Sequence, residues 1–230
     1  MKQPIGALAL VLFVAAGASA QVGHLPENSP YRDLETGQQL SFYGGHFSAA
    51  EDAVGVAPRA GPMFGLRYEI HVGGPAALMA RWAHVNTERN VVDPTKVGAA
   101  AQLGRRNVSL NLYDVNLVLN LTGQKSFHRI VPVINFGAGI GSCSCGVDPD
   151  PYQFGTPFAF SFGGGLRFVP GGRFELRADW NDYLYQLKYP TAYYVAPVLN
   201  GTPLADARQA RSFWKNNPAL TIGASLLFFR

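Results

Sequence analysis

The segment FAFSFGGGLRFVPGGRFELRADW, residues 158–180, contains two stretches in which apolar side chains recur at every second position. A turn that contains Pro170, Gly171 and Gly172 separates the two stretches. Because successive side chains of a β-strand point to opposite faces, each stretch predicts a strand with one apolar face and one polar or small face. The segment therefore predicts an antiparallel hairpin.

Runs of this kind occur eight times after the first twenty residues. They cover residues 39–47, 61–72, 76–86, 108–121, 130–141, 158–168, 174–185 and 220–229. The links after the second, fourth and sixth runs are short, the other links are longer, and the link 186–219 is the longest. Membrane barrels place short turns on the periplasmic side and long loops outside. The sequence therefore predicts an all-β fold, an eight-stranded antiparallel up-and-down transmembrane β-barrel, with both termini on the short-turn side.

The composition agrees with a barrel whose outer surface faces lipid. Hydrophobic residues make up 47% of the 230 residues and charged residues 15%, compared with about 25% charged in typical soluble domains. Beyond the N-terminus, no stretch approaches the roughly 18 apolar residues of a membrane-spanning helix. A formal net charge of +4 is too weak and too scattered to indicate nucleic acid as a partner.

The N-terminus has the pattern of an export signal. Lys2 precedes an apolar stretch over residues 5–18, and Ala18-Ser19-Ala20 forms a small-residue cleavage site. We expect cleavage after Ala20, a periplasmic arm over residues 21–38 without a strand pattern, and a barrel domain over residues 39–230. The expected location is the bacterial outer membrane.

One face of the predicted strands carries charges of both signs. These residues are Arg67, Glu69, Arg81, Asp114, Glu175, Arg177 and Asp179. An eight-stranded barrel holds side chains and little else, and buried charges are costly unless they pair. The pattern predicts a lumen charge network that plugs the barrel, with glycines such as Gly65, Gly165 and Gly223 making room for the long arginines.

Two details of the alternation stay open at this level. In the fourth run Leu110 and Leu112 are out of phase with Tyr113 and Val115, which predicts a β-bulge near Leu112. Periodicity also does not say which face is inside. A soluble, exported lipocalin-like barrel that binds a ligand would reverse the two faces, although the consecutive large aromatics of the sixth run favour a lipid-facing surface.

The signal peptide, the eight alternating strands and the apolar and aromatic last strand resemble the OmpA/OmpX-type outer-membrane barrel superfamily. The resemblance spans about residues 40–230 and rests on architecture. It implies a monomer in contact with outer-membrane lipid and lipopolysaccharide, assembled by the barrel assembly machinery. Members of the superfamily commonly end on an aromatic residue, whereas here Arg230 follows Phe228 and Phe229.

Few residues of the sequence are candidates for a disulfide, a metal site or catalysis. Cys143 and Cys145 lie in a predicted outer loop, where export permits a disulfide, and no neighbouring His indicates a metal site. The following Asp148-Pro149-Asp150-Pro151 predicts a rigid, solvated turn. We expect no cofactor and no metal.

The pair His46 and Ser48 is the strongest catalytic candidate. A His-x-Ser spacing puts both side chains on one face of a strand, where the His can activate the Ser hydroxyl. The pair is similar to that of barrels that deacylate lipid A, but the surrounding residues do not match. We therefore expect a protein that is not an enzyme, with a lipid A-modifying barrel as the alternative.

The long loops are the expected place for specific binding. Basic and aromatic residues occur together in them: Lys96, Arg105 and Arg106 in residues 93–106, and Tyr193, Tyr194, Arg208, Arg211, Phe213 and Trp214 in residues 189–215. Such side chains suit an anionic lipopolysaccharide or an unknown surface partner. For Trp214 and Lys215 we favour a simpler role, in which both anchor the eighth strand at the membrane interface. The function predicted is structural or surface interaction through the loops.

Overall fold

A computed structural model describes residues 29–34, 37–49, 51–197, 202–206, 208 and 210–228. The predicted signal peptide, the cleavage site after Ala20 and residues 21–28 of the predicted arm lie outside this part of the chain. Within it, no helix is long and apolar enough to cross a membrane.

Ten β-strands make up most of the described chain. They are β1 (Tyr31–Asp33), β2 (Gln38–Phe47), β3 (Gly61–Gly73), β4 (Ala76–Val92), β5 (Gln102–Asn120), β6 (Lys125–Phe127), β7 (Ile130–Cys143), β8 (Phe158–Gly171), β9 (Phe174–Lys188) and β10 (Ser212–Leu227). Single 3-10 turns cover Gly98–Ala101 and Thr191–Tyr194.

The eight long strands close into an antiparallel barrel. Each strand pairs with its neighbours along the chain, and β10 closes the ring by pairing with β2 from Ala219 opposite Phe47 to Leu227 opposite Gln39. The prediction of an eight-stranded up-and-down barrel is confirmed. Short turns gather at one end, here called the short-turn end, and the long connections gather at the other, here called the loop end.

Several strands are longer than predicted. β4 runs to Val92 instead of residue 86, β5 begins at Gln102 instead of residue 108, and β10 begins at Ser212 instead of residue 220. Polar residues such as Asn86, Glu88 and Asn107 occupy outward positions there, so the apolar alternation stops before the backbone pairing does. The longest link remains that before the last strand, although it shrinks to residues 189–211.

The predicted bulge near Leu112 is wrong. The pairing of β4 with β5 continues without a shift from Ala76 opposite Leu119 to Asn90 opposite Arg105. Leu110 and Leu112 point inward and are buried, while Tyr113 and Val115 point outward. The two leucines looked out of phase because the lumen is apolar at this height.

The predicted arm contains a strand that the sequence pattern did not indicate. β1 pairs with β6 inside the turn between β5 and β7, with Tyr31 opposite Phe127 and Asp33 opposite Lys125. The Leu34 amide donates to the Gln124 carbonyl at 2.9 Å. The chain before β2 therefore packs against the short-turn end of the barrel.

The barrel is apolar outside and largely polar in the middle of its lumen. Large outward side chains such as Phe42, Phe174 and Ile222 are 66%, 67% and 68% exposed. The charged face predicted from the sequence is buried inside. This arrangement contradicts the reversed, lipocalin-like alternative, in which the apolar face would be internal.

Candidate functional site

The lumen contains two apolar clusters and one belt of charged side chains. The smaller cluster is Ala77, Met79, Val118, Val131 and Val133, near the short-turn end. The larger cluster lies toward the loop end and includes Tyr43, Phe47, Leu110, Leu112, Phe154, Tyr183, Tyr185 and Leu187. The charged belt consists of Arg67, Glu69, Arg81, Asp114, Arg167, Glu175, Arg177 and Asp179. The lumen is therefore less uniformly polar than the sequence indicated.

Four members of the charged belt form one continuous network. The carboxylate of Asp179 accepts from Arg67 Nη1 at 2.7 Å and from Arg177 Nε at 2.7 Å. Glu69 pairs with Arg177 Nη1 and lies 3.7 Å from Arg67 Nε. All four residues are at most 2% exposed. Two arginines and two carboxylates thus neutralise one another across β3 and β9.

Arg81 and Asp114 form a second unit across β4 and β5. Arg81 donates from Nε at 3.0 Å and from Nη2 at 2.8 Å to the Asp114 carboxylate, a two-pronged pairing. The guanidinium also lies over the ring of Tyr183, 4.9 Å from its centre. Asn116 donates to Asp114 at 2.6 Å. The Asp114 carboxylate thus accepts hydrogen bonds from the neighbouring strand and from a position two residues along its own strand.

Glu175 pairs with a residue that the predicted network omitted. Arg167 donates to the Glu175 carboxylate from Nε at 2.9 Å and from Nη2 at 2.7 Å, and to Asn120 Oδ1 at 3.0 Å. Arg167 occupies a position on the polar face of the sixth run, so the alternation contained the signal for it. With this pair the charged belt holds four positive and four negative side chains.

The glycines of the inner face make room for other side chains than the arginines. A Cβ on Gly65 would lie 2.5 Å from the Tyr43 hydroxyl oxygen, and one on Gly223 would lie 2.7 Å from Tyr43 Cβ. A Cβ on Gly165 would lie 2.3 Å from Asp179 Oδ1. The prediction that they accommodate arginine was wrong, because Tyr43 and Asp179 fill this space.

At the loop end, Asp150 ties three segments together. Its carboxylate accepts from Arg89 Nη1 at 2.7 Å, from the Val92 amide at 3.2 Å and from the Tyr193 hydroxyl. Arg89 also donates to the Cys145 carbonyl at 2.7 Å. The expectation of a solvated turn at Asp150 was wrong, since a buried arginine on β4 reaches this loop.

Asp52 has a similar role in the loop between β2 and β3. It accepts from the Tyr189 hydroxyl at 2.6 Å and from the amides of Gly55, Val56 and Ala57 at 3.1, 3.3 and 2.9 Å. Tyr189 in turn packs against Tyr193, with ring centres 6.0 Å apart. The loops thus form a packed cover over the lumen at this end.

Three tyrosines of this cover have raised pKa values. Burial raises the pKa of Tyr152, Tyr189 and Tyr193, since removal from water disfavours the phenolate. Hydrogen bonds to Asp52 and Asp150 raise the pKa values of Tyr189 and Tyr193 further, because those bonds need the phenol proton. All three stay neutral and able to donate near pH 7.

An open groove lies outside the barrel along the projecting hairpin of β4 and β5. It has a volume of about 730 Å³ and is lined by polar and basic side chains that include Arg59, Asn86, Glu88, Arg105, Asn107 and Ser109. Arg105 is 3.8 Å from Glu88, and both side chains are largely exposed. Directly below, Trp82 and His84 share Asn111 Oδ1 at 3.3 and 2.9 Å. We call this feature the hairpin groove.

Among the comparisons with known proteins, the comparison of structures found similar proteins and the comparisons of sequence did not. No protein-family model matches the sequence, and no curated protein matches it in sequence. Neisserial surface protein A is similar in structure with a TM-score of 0.52 and 9% identity, over 84% of this chain and 98% of its own. The outer membrane protein OprG from Pseudomonas aeruginosa gives 0.52 and 10%, over 86% and 99%. The outer membrane protein AlkL gives 0.50 and 14%, over 91% and 98%. This chain has the fold of a small outer-membrane barrel.

In this barrel His46 and Ser48 lie on the outer surface, and both are exposed. The Ser48 amide donates to the Pro218 carbonyl at 2.7 Å. Among the described residues, no hydrogen bond joins the His46 and Ser48 side chains or orients either one. A catalytic pair of this kind would also need a third group that orients the histidine toward the serine.

The two cysteines form a disulfide at the end of β7, with Cα atoms 5.1 Å apart. Cys145 is buried beneath the loops and its carbonyl holds Arg89. In the described part of the chain, no group of three or more His, Cys, Asp or Glu residues could hold a metal ion.

Trp214 and Lys215 lie on opposite faces of β10. Trp214 is 49% exposed on the outer surface, and its ring centre is 6.0 Å from that of Phe160. Lys215 points toward the lumen and is 7% exposed. The expectation that both residues anchor the strand at an interface was wrong for Lys215, since adjacent strand positions point to opposite faces.

Proposed function

We propose that this chain is a monomeric bacterial outer-membrane protein with a sealed lumen that binds at the cell surface through its loop end. The apolar outer surface supports the membrane location, because such a band in water would be an exceptionally large exposed patch. The role proposed is binding rather than catalysis. Export, and insertion by the barrel assembly machinery, belong to the same proposal.

The charged belt is the observation that best supports the proposal of a sealed lumen. Its four arginines and four carboxylates pair with one another. Seven of these residues are buried, and the side chain of the eighth, Arg167, is 11% exposed. An ion crossing the barrel would have to separate these pairs and then pass the apolar cluster beneath the loops. The loop end is therefore where we place the contact with other molecules.

The hairpin groove is the binding surface that the geometry favours. It combines Arg59 and Arg105 with side-chain amides and lies directly above the outward rings of Trp82 and His84. Rings of this kind collect at membrane interfaces. Phosphates of lipopolysaccharide occupy the layer just above such an interface, and arginine pairs well with phosphate. We propose these phosphates as the ligand.

The membrane location and the sealed lumen are tested together. The protein, expressed with its own N-terminus, should fractionate with the outer membrane and change its mobility on a gel after boiling. Reconstituted in planar bilayers, it should give no ion current. Recovery as a water-soluble periplasmic protein would refute the location, and a steady single-channel current would refute the seal.

Ligand binding is tested with the hairpin arginine that lines the groove. The variant Arg105→Gln should bind purified lipopolysaccharide at least about tenfold more weakly, as expected when charged hydrogen bonds are lost. Arg173→Gln, at the short-turn end, is the matched control and should bind normally. Binding should also be lost with lipopolysaccharide stripped of phosphate. If the hairpin variant binds as well as the control, the groove is not the site.

A further inference from the structure

In the part of the chain that the structure describes, the upper part of β10 has a partner strand on one side only, which is β9. β2 ends at Phe47, opposite Ala219, whereas β10 starts seven positions earlier at Ser212. Above Ala219 the loop after β2 lies beside β10, and among the described residues the bond of the Ser48 amide to the Pro218 carbonyl is its backbone link to that strand. A cavity of about 430 Å³ opens beside this uncovered edge. We call it the edge cavity.

The walls of the edge cavity are aromatic. Tyr189, Phe213 and Trp214 line it, and the rings of Tyr189 and Phe213 are 5.2 Å apart. Trp214 belongs to the outer surface of β10, while Lys215, which also lines the cavity, belongs to its lumen face. The edge cavity therefore extends from the outer surface of the wall to its inner side.

Both carboxylates that line the edge cavity are already engaged. Glu51 forms an ion pair with Arg59. Asp52 accepts four hydrogen bonds, from the Tyr189 hydroxyl and from the amides of Gly55, Val56 and Ala57. The ion pair neutralises Glu51, whereas the four neutral donors fix the position of the Asp52 carboxylate and leave its charge in place.

Lys215 is different from these carboxylates. The residue is only 7% exposed, and among the described residues no carboxylate lies within ion-pair distance of its ammonium group. The charge of Asp52 acts on it from a longer distance. An anion placed in the cavity could come closer and form a charge-assisted hydrogen bond with the ammonium group.

We propose that the edge cavity binds an amphiphile with an anionic head, whose carboxylate or phosphate pairs with Lys215 while its alkyl chain packs on Phe213 and Trp214. The ammonium group of Lys215 selects the charge of the head, and the aromatic walls select the apolar chain. The position beside an apolar outer surface suits a ligand that arrives from a membrane. The edge cavity and the hairpin groove share no lining residue, although the ion pair of Glu51 with Arg59 joins their margins.

The test measures binding of dodecanoate, and of uncharged dodecanol, to the full-length barrel in a nonionic detergent by calorimetry. The wild type should prefer dodecanoate by roughly tenfold or more. Lys215→Met should remove this preference, whereas Lys188→Met, which changes an exposed lysine at the end of β9, should keep it. Phe213→Ala should weaken the binding of both ligands.

Dodecyl phosphate distinguishes the two possible heads, and whichever anion binds more tightly to the wild type identifies the natural class. Each variant is first checked for the gel mobility of a folded barrel. Equal binding of dodecanoate and dodecanol to the wild type would overturn the proposal. So would a Lys215→Met variant that unfolds more easily but keeps the preference, because Lys215 would then only balance the charge of Asp52.

Discussion

Arg89 Nη1 lies 2.7 Å from Asp150 Oδ2, and both side chains are fully buried although 61 residues separate them in the chain. Arg89 belongs to the end of β4, whereas Asp150 belongs to the loop between β7 and β8. The pair joins the projecting hairpin to the cover over the lumen. Tyr193 adds a third segment through its hydroxyl.

Replacement of Asp150 with Asn should destabilise the loop end strongly. The change leaves the Arg89 charge buried without a counter-ion, which typically costs about 3–5 kcal/mol. Hydrogen exchange should rise over residues 144–157, and the urea midpoint of unfolding in lipid vesicles should fall. Glu88→Gln is the control, because it alters only an exposed contact worth about 0–1 kcal/mol. Equal effects of the two substitutions would contradict the role given to the pair.

The pairing of Arg81 with Asp114 predicts that the effects of replacing each residue on the free energy of unfolding are strongly non-additive. Arg81→Met or Asp114→Leu alone should each lower the free energy of unfolding by about 3–5 kcal/mol, since each leaves one buried charge unpaired. The double variant should be less destabilised than either single variant, apart from about 1 kcal/mol for the bond lost by Asn116. Urea unfolding of all four proteins measures this coupling energy. Simple addition of the two single effects would show that the charges do not act as a pair.

The cover of tyrosines predicts a loss of stability in alkali. The folded state raises the pKa values of Tyr152, Tyr189 and Tyr193 above the ordinary value of 10. The unfolded chain therefore releases these protons first, so stability is unaffected well below pH 10 and falls as the pH rises above that value. Unfolding curves between pH 8 and about 11.5 measure the slope. A triple Tyr→Phe variant at these positions should show a shallower decline, and an unchanged slope would assign the effect to other groups.

The disulfide between Cys143 and Cys145 predicts a small effect on global stability. It closes a very short loop, and the chain-entropy model gives a stabilisation on the order of 1–2 kcal/mol for such a ring. Treatment of the wild type with a reductant should therefore lower the melting temperature only slightly. The Cys143→Ala/Cys145→Ala variant, treated in the same way, should not respond to the reductant. Global unfolding on reduction would mean that the loop cover depends on this bond.

Much of the barrel could be predicted because a β-strand has a period of two. The alternation in residues 158–168 and 174–185 depends only on neighbouring positions, so it revealed two strands, their faces and the turn between them. It also marked Arg167 as a member of the polar face. The partner of Arg167 needed the register of β8 against β9, which brings Glu175 across the turn.

Other features depend on contacts between distant parts of the chain. The ends of β4 and β5 carry polar outward residues, so local alternation stopped short of strands that the backbone pairing continues. Leu110 and Leu112 looked irregular because the apolar layer that they join, with Phe154 and Tyr185, comes from other strands and a loop.

The sequence by itself determined the eight strands, the alternation of long and short links and the identity of the charged face, because all three follow from local spacing. Only the tertiary structure decided which charge pairs with which, where the lumen becomes apolar and that Lys215 lies beside an aromatic cavity. Those outcomes depend on ring closure and strand register, which bring together residues as distant in the chain as Arg67 and Asp179. No local pattern encodes such distances.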